Sequence, residues 1–154
     1  MSEATIGILV DYESPLASRM AGEVWSGLSR AALQAGSTKT TALWQSLREP
    51  STMPKGASAH IFAIGQDHPD AIDAICAIDG GSGPHMYGVI VAVPDKPSPL
   101  AGSLLYQGVG RLTDSGVKAG MVEPALLHAN PTECERYARH LFQRLSKVLW
   151  QRSS

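Results

Sequence analysis

The chain predicts an α/β fold: a three-layer Rossmann-like sandwich of about five mostly parallel strands with helices on both faces. Two observations predict it. Short apolar runs alternate with segments of helical spacing along the whole sequence, the pattern of repeated βα units. Capping and stop residues punctuate the helical segments, and right-handed crossovers through such helices place them on both faces of a parallel sheet.

The elements follow in order. An apolar run, TIGILVDY (5–12), reads as the first strand and closes on the carboxylates Asp11 and Glu13. Helix one opens at Ser14, whose hydroxyl can cap it while Pro15 takes the first helical position, where a missing N–H does no harm. It runs through Leu16, Met20, Val24 and Leu28 toward Gly36. TKTTALW (38–44) is the second strand, and SLREPSTMPKGA (46–57) a connection. SAHIFAI (58–64) is the third, followed by a helix over about 69–79 that stops at Gly80 and Gly81. MYGVIVAV (86–93) is the fourth. A glycine-weakened helix over 98–115 and a strand over 117–122 come next. The last helix opens at Asn130 and Pro131, with Tyr137, Leu141, Leu145 and Val148 on one face and Arg136, Arg139, Arg144 and Lys147 elsewhere.

Composition bounds the function. At 154 residues the chain suits one domain, 1–154, able to bury about two-thirds of its unfolded surface. Apolar residues are 44% and charged residues 18%, and no apolar stretch approaches the roughly 20 residues of a membrane span. The N-terminal residues lack a secretion signal, so a soluble, cytoplasmic protein is expected. Cys76 and Cys134 show no zinc-ligand spacing and read as reduced thiols. A net charge of −1 argues against a strongly basic nucleic-acid clamp.

Ligands of parallel sheets sit beyond the carboxyl ends of the strands, so the residues just after each strand are the candidates. These are Asp11 and Glu13 after strand one, then Gln66, Asp67, His68, Asp70 and Asp73 after strand three, then Asp95 and Lys96 after strand four. Carboxylates that converge repel one another unless a cation offsets them, and oxygen ligands suit Mg²⁺ or Mn²⁺. A plainer account is that Asp11, Glu13 and Ser14 close a strand and open a helix. His68 and His85 read as surface histidines, and Trp44 as a core or rim aromatic.

Four pieces of sequence resemble the NYN domain, in its LabA-like branch of the PIN-like nuclease superfamily. They are ILVDYESPLA (8–17), ALWQSLREP (42–50), HPDAIDAICAID (68–79) and VIVAVPDKPSPLA (89–101). The resemblance implies a metal-dependent ribonuclease in which Asp11, Asp73 and Asp95 hold Mg²⁺ or Mn²⁺, Glu13 orients the attacking water or completes the ligand set, and RNA is the partner. Asp79, six residues beyond Asp73 and so about 120° around the helix, falls outside the ligand set. Ser14 replaces the family's Asn and Lys96 one of its acids, so a catalytically silent interaction module, a protein partner or a homodimer also fits.

Five βα units in 154 residues also resemble a flavodoxin-like flavin reductase, and the alternative this implies is an FMN-dependent NAD(P)H oxidoreductase. Ser14 and Ser18 would then contact the flavin phosphate, and SPLAGSLL (98–105) would lie beside the ring. In that reading Asp11 and Glu13 face a dianionic phosphate, and the sequence has no Thr-Gly or Gly-Ser phosphate loop and no well-placed loop aromatic.

Overall fold

The computed structural model describes residues 3–36, 39–48, 56–57, 59–68, 70–77, 86–93, 125–128 and 130–146. Its elements are β1 (Glu3–Val10), α1 (Pro15–Gln34), β2 (Lys39–Ser46), β3 (Ala59–Gly65), α2 (Ala71–Ala77), β4 (Met86–Val93), β5 (Ala125–His128) and α3 (Pro131–Ser146). The five strands form one parallel sheet in the order β2-β1-β3-β4-β5. The expected helix at 98–115, the expected strand at 117–122, and Asp79, His85, Asp95 and Lys96 lie outside the described residues.

Alternation along the strands sorts side chains onto two faces. Ile6, Ile8 and Val10 of β1, with Ala59, Ile61 and Ala63 of β3, face Met20, Val24 and Leu28 of α1 and Ala138, Leu141 and Leu145 of α3. Leu9, Phe62, Ile64, Val89 and Val91 point the other way, onto Ala71, Ile72 and Ile75 of α2. That produces three layers. β3 is buried along its whole length, as a central parallel strand should be, whereas β2 forms an edge and leaves Trp44 exposed. Each fully buried Ile, Leu or Phe contributes about 1.5–3 kcal/mol.

α1 begins where its local sequence dictates. Ser14 caps it in an extended conformation, its Oγ accepting from the Ala17 N–H at 3.2 Å, and Pro15 follows at the first helical position. Asn130 does the same for α3, its Oδ1 accepting from the Thr132 N–H at 2.9 Å. Cys134 is a free thiol buried between α1 and α3, and burial together with the Glu23 carboxylate pushes its pKa up to about 12. It stays protonated at neutral pH.

α1 and α3 approach closely at Gly27, where a Cβ would stand 2.8 Å from Ala138 Cβ. Gly27→Ala is expected to lower stability by about 1–3 kcal/mol through overpacking, in spite of the helix propensity gained. Gly22, with nothing within 4 Å of a built Cβ, gives the opposite sign. Gly22→Ala should raise stability by about 0.5–1 kcal/mol. Urea denaturation of both variants checks the pair, and equal shifts in the two would contradict this packing.

Candidate functional site

A group of described polar residues, Asp11, Glu13, Ser14, Arg48, Asp67 and Asp70, converges where β1, β2 and β3 end. β1 is followed first by β2 on one side, and the chain then crosses back to β3 on the other, so the connections diverge between β1 and β3. Backbone bonds fix the three strand ends. The Asp11 N–H donates to Ala63 O (2.9 Å), the Leu47 N–H to Val10 O (2.9 Å) and the Gln66 N–H to Ala92 O (2.9 Å).

At the centre stands Arg48, two residues past β2. Its Nε donates to Asp11 Oδ1 at 2.7 Å and its Nη2 to Asp11 Oδ2 at 3.0 Å, a two-pronged pairing that matches guanidinium to carboxylate. Nε also lies 2.6 Å from Glu13 Oε2, and Nη1 donates to Asp70 Oδ2 at 2.9 Å. Asp11 is wholly buried, the Arg48 side chain is 26% exposed, and Glu13 and Asp70 are largely in solvent. Three carboxylates against one guanidinium leave the cluster negative.

A second network lies beside it. Ser14 Oγ donates to Asp67 Oδ1 at 3.0 Å while it caps α1, and the Ser14 N–H donates to the Asp11 carbonyl at 3.0 Å. Asp67 belongs to the turn after β3, which the His68 N–H closes on Gly65 O at 3.0 Å. Gly65 is required there by close approach: a Cβ would collide with Ser14 Oγ and Asp67 Oδ1 and stand 2.9 Å from Ser14 Cβ.

The charges respond to these contacts. Hydrogen bonds to Asp11 and then Asp70 push the Arg48 guanidinium pKa further up, and the Arg48 hydrogen bond holds the Asp70 carboxyl below its ordinary value. A carboxyl depressed by folding stabilises the native state above its unfolded pKa of about 3.9, and the contribution is lost as pH falls through the lower folded value. Asp70 is exposed, so the effect is screened. Asp70→Asn should lower stability at pH 7 by less than about 1 kcal/mol, and the gap to wild type should close toward pH 2. Thermal unfolding across that range checks it; a gap that widens in acid would contradict the pairing.

Of the residues expected to form a site, Asp11 and Glu13 are brought together, joined through Arg48. Asp73 is exposed in the first turn of α2, its N–H on Asp70 O at 3.0 Å. Asp95 lies outside the described residues. Among the described residues no group of three or more His, Cys, Asp or Glu side chains is placed to hold a metal ion. Sequence reasoning missed Arg48, although a cation just past a strand whose neighbour ends in acids was a usable signal. It also missed Tyr12, which is 52% exposed between Asp11 and Glu13 and places an aromatic side chain at this rim.

No protein-family profile and no curated protein matches the chain. Solved structures do. An NAD(P)H:quinone oxidoreductase from Methanothermobacter marburgensis superposes with a TM-score of 0.51 at 13% identity, covering 96% of this chain and 98% of its own. An FMN-dependent NADH-azoreductase from Bacillus anthracis, solved in complex with FMN, gives 0.52 at 9% identity, covering 94% and 99%. At such identities the likeness carries the fold, which is flavodoxin-like, and the strand order 2-1-3-4-5 agrees.

These findings correct the nuclease expectation. The neighbours that superpose over nearly the whole chain are an NAD(P)H:quinone oxidoreductase and an FMN-dependent NADH-azoreductase rather than NYN or PIN-like nucleases, so the resemblance to that family, the ribonuclease activity and the RNA partner are withdrawn. The Mg²⁺ or Mn²⁺ site goes with them, for a physical reason: both oxygens of Asp11 are already bonded to Arg48, which supplies the positive charge a metal would have brought. Among the described residues no helix is long and apolar enough to cross a membrane.

Proposed function

We propose that this chain is a flavodoxin-like, flavin-dependent oxidoreductase domain of the NAD(P)H-using class. The observation that carries the reading is the place where its polar residues gather. The loops after β1 and β3 meet at the divergence point of a 2-1-3-4-5 sheet, the position at which sheets of this order bind their ligands, FMN in the case of flavodoxin. Two oxidoreductases that superpose over nearly the whole chain support it, one described as NAD(P)H:quinone oxidoreductase and the other as an FMN-dependent azoreductase.

Chain residues provide the setting. Gly65 lets the turn after β3 lie directly against Ser14 at the start of α1, Ser14 ties the two together through Asp67, and Tyr12 offers an aromatic group at the rim. Residues that fit the terminal phosphate of FMN are not found in the described loops, where carboxylates hold the donors.

The test is direct. Purified protein is titrated with riboflavin and with FMN, following quenching of flavin fluorescence, and then assayed for flavin-dependent oxidation of NADH and NADPH with a quinone acceptor. Binding of a flavin below about 1 mM with flavin-dependent turnover is the expected result. Absence of binding by both flavins at that concentration overturns the reading.

A further inference from the structure

The start of a long helix attracts anions, because its first N–H groups lack intrahelical partners and its dipole is positive there. α1 is 20 residues long, and its N-terminus lies at the carboxyl ends of β1 and β3, beside the turn that holds Asp67. In this chain several of the donors around it are already engaged. The Glu13 N–H donates to Asp11 Oδ1 at 3.2 Å, and the Ser14 N–H to the Asp11 carbonyl. Pro15 has no N–H, and the Ala17 N–H is held by Ser14 Oγ. The Ser14 hydroxyl proton goes to Asp67 Oδ1. Among the described residues, the arginine of this edge, Arg48, is bound to Asp11, Glu13 and Asp70, and the His68 imidazole has its Nδ1 3.2 Å from Asp67 Oδ2.

We infer that Asp11 and Asp67 stand where a flavin's terminal phosphate would bind, so that the domain takes its flavin without using that phosphate and FMN has no advantage over riboflavin. The inference rests on the flavin reading above. A phosphate monoester carries about −1.5 to −2 charges at pH 7. Beside α1 it would meet Asp11, Glu13, Asp67 and Asp70 and find one guanidinium already bonded to three of them. Transferring Arg48 to the phosphate would strand the Asp11 carboxylate, which is wholly buried, without its counter-charge. Electrostatics therefore favours the neutral polyol end of riboflavin over the dianionic end of FMN.

The experiment compares dissociation constants of riboflavin and FMN for the full chain by isothermal titration, at about 20 mM and about 200 mM salt. Riboflavin is expected to bind as tightly as FMN or more tightly, with any preference shrinking at the higher salt. A variant carrying Glu13→Gln and Asp67→Asn keeps the acceptor for Ser14 Oγ and removes two charges from partly exposed positions. It should shift the ratio of the two constants toward FMN by about two- to tenfold. Tighter binding of FMN by the unaltered chain overturns the inference and leaves the flavin reading standing, and so does a ratio that the variant leaves unmoved. Absence of binding by both flavins removes the flavin reading and this inference with it.

Discussion

Arg48→Met is expected to lower stability by about 2–4 kcal/mol at pH 7. The Asp11 carboxylate is wholly buried and takes two hydrogen bonds from the guanidinium, at 2.7 and 3.0 Å. Removing one partner of a buried ion pair leaves an uncompensated charge, which costs about 3–5 kcal/mol when both groups are buried. Here the Arg48 side chain is 26% exposed, so water can reach part of the pair and the expected loss is somewhat smaller. Met retains most of the stem's packing, and the measurement therefore reports mainly on charge. Adding Asp11→Asn to Arg48→Met should recover about 1–3 kcal/mol, because the buried group is then neutral. Glu13→Gln should stay within about 1 kcal/mol of wild type, since Glu13 reaches the same guanidinium from solvent. Urea unfolding with unchanged m-values gives all three differences. An Arg48→Met protein within 1 kcal/mol of wild type, on the order of a surface pair, would mean that Asp11 has another source of positive charge.

That pairing explains what could and could not be read from the sequence. Elements set by local rules were legible: Ser14 and Pro15 announced the start of α1, Asn130 and Pro131 that of α3, and β4 was expected at the residues it occupies. Capping and alternation act within a few residues, and a window of sequence contains them. Strand order is a different matter, because it depends on which way each crossover returns. So is the Arg48–Asp11 contact, which joins residues 37 apart. Acids at the strand ends need compensating charge, and the expected metal site on them is replaced, among the described residues, by the Arg48 guanidinium. The resemblance to nucleases misled for a related reason. A strand ending in carboxylates, a capped helix and a Pro-Leu-Ala after a later strand are what a parallel sheet edge produces in many families, so their order alone did not separate one family from another. β5 was missed because ALLH is four residues long and runs straight into the signals for α3.

Gly65→Ala carries the other large expected effect, a loss of about 2–4 kcal/mol. Its origin is steric. The new methyl group would occupy the space of Ser14 Oγ and Asp67 Oδ1, and it would lie 2.9 Å from Ser14 Cβ, an atom fixed by the backbone at the start of α1. Overpacking of this kind costs about 1–3 kcal/mol, and displacing Ser14 from its cap adds about 1 kcal/mol. Two controls isolate the cause. Ser14→Ala alone should cost only about 1 kcal/mol, the value of the cap. Combining it with Gly65→Ala should bring little relief, because the Cβ of residue 14 remains in the way. Gly56, at a φ of +87° with nothing near a built Cβ, provides the contrasting case in which Ala is strained by backbone conformation alone, at about 1 kcal/mol. If Gly65→Ala proved no worse than Gly56→Ala, the loops after β1 and β3 would have to stand further apart than this contact requires, and the edge assigned to a flavin would have a different shape.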